Sequence, residues 1–250
     1  MLQRPDAEMD HAPAQWQAAA ERFGQMSNAR RKQLEQNILL GLPGASVNFT
    51  LKELREGLAR YEGIDATALR NNLIYFLEAI LPAAQEAGVN MAIHPDDPPW
   101  PVFGLPRVVS TASDFDALFD AVPAIANGLP YCTGSLGALP ANDLKGILQQ
   151  WHERIHFLHL RSVQHTGWRQ FHESGHLEGH TDMPAIYQFL AALQREGRLK
   201  KDLPMRPDHG HVLLDDHNKQ FYPGYPAIGR LRGLAELRGV ELAARYTEKG

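Results

Sequence analysis

The chain has 250 residues, 44% hydrophobic and 22% charged, with a formal net charge of −4. That length carries one large domain or two small ones, and the weak negative charge excludes a general pull toward nucleic acid or anionic membrane. No stretch approaches the roughly 20 apolar residues of a membrane span, the acidic start lacks the apolar run of a signal peptide, and the single cysteine, Cys132, has no partner for an internal disulfide, so a reducing cytoplasm is expected.

Residues 1–88 read as a helical segment without a catalytic constellation. A short amphipathic helix is expected over Pro13 to Phe23, and a second from Asn28 to Leu40, closed by Gly41-Leu42-Pro43-Gly44. Thr50-Leu51-Lys52-Glu53 has capping-box spacing, in which hydroxyl and carboxylate satisfy each other's backbone donors. A helix should therefore start at Leu51 and end near Gly63. Asp65 caps a longer helix whose apolar face is Leu69, Leu73, Phe76, Leu77, Ile80 and Ala84. Pro82 is expected to kink it and Gly88 to stop it.

From Val89 the pattern changes to short apolar strands alternating with helices. Val89 to Ile93 forms the first strand and ends in His94-Pro95-Asp96-Asp97. A helix capped near Ser113 follows and is stopped by Asn127-Gly128. Leu129-Pro130-Tyr131 leads into Cys132-Thr133-Gly134-Ser135, and a helix runs from about Asn142 to Trp151. Ile155 to Leu158 ends in His159-Leu160-Arg161-Ser162. A long polar loop then carries His165, His172, His176 and His180, read as exposed or substrate-loop residues because they share no helical face. Thr181-Asp182 caps a helix over Met183 to Arg195. Leu203-Pro204-Met205 is the fourth strand, ending in Arg206-Pro207-Asp208-His209-Gly210-His211, and a last helix starts near Pro226.

Four successive strand-then-helix units predict a parallel sheet covered by helices. Chemistry in such folds sits at the carboxyl ends of the strands. His94, Cys132, His159 and Asp208 occupy that slot in consecutive units. Each alone is an ordinary structural residue, a buried cysteine being commonly a small hydrophobe. Their recurrence in one topological position is what points to a shared divalent ion. The spacings are too wide for a zinc finger, and mixed N, O and S donors suit Fe(II), Mn(II) or Zn(II) alike. No Gly-x-Gly-x-x-Gly or Walker pattern supports nucleotide binding.

These blocks, with Pro223-Gly224-Tyr225 and Ile228-Gly229-Arg230, closely resemble the mannonate dehydratase family, in order from about residue 4 to residue 244. The resemblance implies a TIM-barrel lyase that removes water from D-mannonate to give 2-dehydro-3-deoxy-D-gluconate in hexuronate breakdown, with Mn(II) or Fe(II). By that likeness His94, Cys132, His159 and Asp208 match metal ligands, and His209 and Tyr225 match the proton-transfer residues. Arg161 and Arg206 are candidates for the substrate carboxylate, whose planar fork they complement. His211 and Asp97 are candidates for holding the ligands or substrate in place.

The family's first barrel strands find no counterpart in the chain. The expected architecture is therefore a partial TIM-type (β/α) barrel: about four C-terminal units over residues 89–250, preceded by the insertion-like helical segment 1–88, which packs on it. An open half-barrel exposes strand edges, so a homo-oligomer or a second chain supplying the missing half is an expected partner. A metal-binding remnant without turnover, and another metal-dependent sugar isomerase on the same barrel, are the alternatives.

Overall fold

In the computed structural model the second half of the chain is organised on four parallel strands. The structure describes residues 4, 7–39, 49–199 and 203–246. Leu40 and the expected Gly41-Leu42-Pro43-Gly44 helix stop lie outside them. Two compact units divide the chain, Met1–Thr67 with Pro101–Pro106, and Ala68–Trp100 with Arg107–Gly250.

The first unit holds α1 (Pro13–Gly24), α2 (Asn28–Leu39) and α3 (Leu51–Ala59). The capping box at the start of α3 forms as expected: the Glu53 amide donates to Thr50 Oγ1 at 3.2 Å, and the Thr50 amide donates to Glu53 Oε2 at 2.7 Å. Turns carry the chain from α3 to Gly63.

In the second unit α4 (Ala66–Glu86) stays one helix through Pro82. Pro82 is exposed, so the missing N–H falls on the water side, where it disturbs packing least. The buried stripe differs from the expected one: Leu69, Leu73 and Leu77 face the core, but Leu81 completes the row and Phe76 is 52% exposed. Phe76 lies about 100° round the helix from Leu77 and about 60° from Leu73, at the margin of that row.

The remaining elements follow as β1 (Met91–Ala92), α5 (Ala112–Ala121), β2 (Asn127–Cys132), α6 (Thr133–Gly137), α7 (Leu144–Trp151), β3 (Ile155–Leu160), β4 (Val163–Gly167), β5 (Gln170–Glu173), α8 (Met183–Arg195), β6 (Met205–Pro207) and α9 (Ala227–Tyr246). The strands β1, β2, β3 and β6 form one parallel sheet in that order. The sheet is curled, as a half-barrel is. Every residue of β2 is buried, as a parallel strand covered on both faces requires.

Three expectations are corrected or sharpened. Asn127-Gly128 opens β2 instead of stopping a helix. The helix ends earlier, because Pro123 drives Val122 out of the helical region, to φ −129 and ψ 82. Asn127 is then buried, and its side-chain amide donates to the Val122 carbonyl at 2.9 Å. Second, the structure sharpens two helix starts: the cap expected near Ser113 is Thr111, and the helix expected from about Asn142 is capped by Asp143; Asn142 donates to the Ser110 and Leu136 carbonyls. Third, the long polar loop after β3 is an antiparallel hairpin, β4 paired with β5.

The register sets the chemistry. Cys132 is aligned with His159, and His159 with Arg206, across three neighbouring strands. The strand ends are therefore level, and the residues just beyond them share one rim. Among the described residues no helix is long and apolar enough to cross a membrane.

Candidate metal centre

One donor atom each from His94, Cys132 and His159 lie within 4.8 Å of one another. His94 follows β1 and is the exposed member; its Nδ1 lies 2.7 Å from the Pro95 carbonyl, which can only accept, so Nδ1 carries the proton and Nε2 faces inward. His94 Nε2 stands 3.2 Å from His159 Nδ1. Cys132 ends β2 and caps α6, where the Ser135 amide donates to its sulfur at 3.4 Å. Asp208, one residue past β6, stands outside that tight trio but beside it, Oδ2 being 3.4 Å from His159 Nε2.

The electrostatics are those of a cation-holding site. Burial pushes the Cys132 thiol up, but hydrogen bonds from His159 and His94 and their charges outweigh it and bring it from 9.0 to about 5. Burial pushes His159 down, yet the Asp208 carboxylate and the Cys132 sulfur raise it to about 9. Asp208 is itself buried, which would raise its carboxyl, and is nonetheless held far below the usual carboxylate range by His159 and His209. His159 Nε2 is buried, and its approach to Asp208 Oδ2 at 3.4 Å falls short of a well-aligned hydrogen bond. A buried imidazole nitrogen so loosely held beside a sulfur and a carboxylate fits a divalent ion.

The proton-transfer candidates adjoin this group. Tyr225 donates its hydroxyl to Asp208 Oδ1 at 3.1 Å, and its ring centroid lies 5.0 Å from that of His209. His209 Nδ1 sits between two carboxylates, 3.2 Å from Asp208 Oδ2 and 3.3 Å from Glu173 Oε2. Burial lowers His209, but those carboxylates win and lift it to about 9. Burial and the Asp208 carboxylate raise Tyr225, which stays protonated. Gly224 makes the approach possible: its φ is +84, and a Cβ there would stand 2.6 Å from His209 Cδ2.

The sequence pattern of the D-mannonate dehydratase (UxuA) family matches residues 9–249. The chain belongs to that family. A mannonate dehydratase of Rhizobium meliloti is 46% identical over 257 residues, covering 100% of this chain and 64% of the relative. One of Chromohalobacter salexigens is 48% identical over 250 residues, covering 98% and 63%. The chain thus spans a little under two thirds of the length of these curated relatives. The crystal structure of mannonate dehydratase from Streptococcus suis serotype 2 matches with a TM-score of 0.67 at 35% identity, over 74% of this chain and 51% of that one.

Around the dehydratase-family strand ends, the basic residues divide. Arg161 is buried, and its donors go to protein carboxylates rather than into open space: Nη1 to Asp97 at 2.5 Å, Nη2 to Glu173 at 2.5 Å and Nε to Glu173 at 2.9 Å. The Arg161 stem lies directly across Gly134, which has no side chain to block it. Arg206 is different, with its side chain 47% exposed and one contact to Asp208 Oδ1 at 3.3 Å. Asp97 pairs with Arg161. His211 is exposed, with Nε2 3.2 Å from the Glu173 carbonyl.

Of the hairpin-region histidines, His172 and His180 are exposed as expected, while His176 is buried against Gly233 of α9. Burial lowers its basicity, against the pull of nearby carboxylates. Glu173 was not singled out by the sequence. The signal available was indirect: a buried arginine at a strand end needs an acidic partner, and the 162–181 segment contains only Glu173 and Glu178.

Proposed function

We propose that this chain carries the metal centre and proton-transfer groups of a D-mannonate dehydratase, forming 2-dehydro-3-deoxy-D-gluconate and water from D-mannonate in a cytoplasmic hexuronate pathway. The observation that carries this reading is the convergence of His94, Cys132 and His159, flanked by Asp208, on the same rim as the His209–Tyr225 pair. We read the sheet as about four C-terminal units of a TIM-type barrel, with residues 1–88 as an insertion-like segment.

His94, Cys132, His159 and Asp208 would hold Mn(II) or Fe(II). A bound divalent ion supplies Lewis-acid stabilisation of the negative charge that develops when the proton beside the carboxylate is removed. The protein's own groups manage the protons. The reaction breaks the C2–H bond and expels the C3 hydroxyl, which takes up a proton and leaves as water. Tyr225, held protonated, suits the acid. His209 suits the base: with Nδ1–H lodged between Asp208 and Glu173, Nε2 holds the lone pair. Asp208 engaged as a ligand would pull less on the His209 proton and so favour the free base. Arg206, half exposed, suits the substrate carboxylate better than Arg161, whose fork is engaged; His211 lies on the same stretch and is the second candidate contact.

The test has two parts. Chain loaded with Mn(II) or Fe(II) should retain on the order of one ion, and Asp208→Asn and Cys132→Ser should each retain less; unchanged content in both variants would refute the ligand set. Incubation with D-mannonate should yield the 2-keto-3-deoxy acid, and metal-loaded protein that yields none would refute the dehydratase reading.

A further inference from the structure

The β4–β5 hairpin brings to the rim a carboxylate that neither the ligand set nor the proton-transfer pair accounts for. Glu173 is the last residue of β5, its side chain 27% exposed. Its backbone is anchored at the hairpin base, aligned with Val163, and the neighbouring Ser174 amide donates to the Ser162 carbonyl at 3.0 Å. Two residues earlier Phe171 packs edge-on against Trp100, ring centroids 5.8 Å apart.

The carboxylate is gripped from behind by Arg161: Nε lies 3.1 Å from Oε1 and 2.9 Å from Oε2, and Nη2 lies 2.5 Å from Oε1. A planar fork on both oxygens fixes the plane of the carboxylate as well as its position. Asp97, across the same guanidinium, braces Arg161 in turn. In front, Glu173 Oε2 is 3.3 Å from His209 Nδ1.

Asp208 also faces that nitrogen, but the same Oδ2 stands 3.4 Å from His159 Nε2 and 3.7 Å from Arg161 Nε. Its direction is set by those demands. Glu173 shares the Arg161 contact but bears on His209 without also facing His159, so Arg161 sets its direction. A carboxylate held rigidly against Nδ1 orients an imidazole and selects the tautomer with Nε2 as the working nitrogen.

We propose that Glu173 is a positioning residue for His209: clamped by Arg161, it holds the ring with Nδ1–H in the Asp208–Glu173 cleft and leaves Nε2 to transfer the proton. The kinetic half of this proposal rests on the dehydratase reading; the geometric half does not. Glu173→Ala frees the ring. Glu173→Gln keeps an oxygen facing Nδ1 while losing the charge that Arg161 clamps.

The experiment uses the full chain loaded with Mn(II), with three readouts per variant: metal content, steady-state kinetics on D-mannonate, and a crystal structure. Glu173→Ala is expected to lower kcat about 100-fold and Glu173→Gln about 10-fold, both with KM and metal content unchanged. In the Glu173→Ala crystal structure the His209 ring should leave the cleft. A wild-type chain without turnover, in which the ring still moves in Glu173→Ala, refutes the dehydratase reading and upholds the positioning. A ring that stays in place overturns the proposal, as does wild-type kcat in both variants or a loss of metal matching the loss of kcat. Should Glu173→Ala fail to fold, Glu173→Gln decides alone: its kcat must fall at constant KM.

Discussion

Replacing Arg161 by methionine tests how much of the rim depends on one guanidinium. The residue is 5% exposed, joins Asp97 and Glu173 at 2.5 Å each, and comes within 3.7 Å of Asp208. Methionine keeps an unbranched stem beside Gly134 and removes the charge. Stripping one partner from a buried ion pair costs roughly 3–5 kcal/mol, because the other charge is left uncompensated. Here the Asp97 and Glu173 side chains keep 35% and 27% of their exposure, so water takes over part of the role. The lower bound applies, about 3 kcal/mol. For a chain of this size about 1 kcal/mol moves Tm by roughly 2–4 °C, so Arg161→Met should melt about 6–12 °C below wild type by circular dichroism. The sign with pH is also set. Glu173 is depressed below its ordinary 4.5, mainly through His209 and Arg161 acting against burial, so the stability it contributes is full above about 4.5 and lost as pH falls through the lower folded value. The gap between wild type and variant should therefore narrow on acidification. A variant melting within about 2 °C of wild type at neutral pH would refute the reasoning, since that is under 1 kcal/mol.

Other perturbations probe the same architecture. In metal-free protein, ultraviolet thiolate absorbance should place the Cys132 midpoint near 5, and an ordinary value of 9.0 would contradict the His94–Cys132–His159 geometry. A depressed folded value also means that Cys132 contributes stability in full above 9.0 and loses it as pH falls through about 5, which acid unfolding of Cys132→Ser against wild type would read. Gly224→Ala must hold φ near +84, at about 1–2 kcal/mol of strain, with a methyl aimed at His209; turnover of D-mannonate should drop while metal content stays constant. Leu81→Ala should cost roughly 2–5 kcal/mol in urea unfolding and Phe76→Ala no more than about 0.5, reversing the expected order of the two positions on α4.

Much of this was legible residue by residue. The capping box at Thr50 and the Asp182 cap of α8 depend only on contacts three residues apart, and both formed as the pattern required. The strand-end slots of His94, Cys132, His159 and Asp208 followed from the alternation of short apolar runs with helical ones. What misled was local ambiguity. Asn-Gly is a turn signal in isolation, yet the buried partner of Asn127 lies five residues back, and Pro123 had already ended the helix. Phe76 and Leu81 both suit an apolar face, and only the neighbours packed against α4 decide which one is covered.

The sequence by itself determined the kinds of donor at each strand end, because strand period, helix caps and turn chemistry act between near neighbours. Only the tertiary structure decided how those donors meet. The level register of Cys132, His159 and Arg206 places them on one rim, and the pairing of Val163 with Glu173 swings a carboxylate onto Arg161 and His209. These alignments are set by backbone hydrogen bonds and packing between distant segments. That is why Arg161, which as a lone residue reads equally well as a substrate clamp, is committed to Asp97 and Glu173.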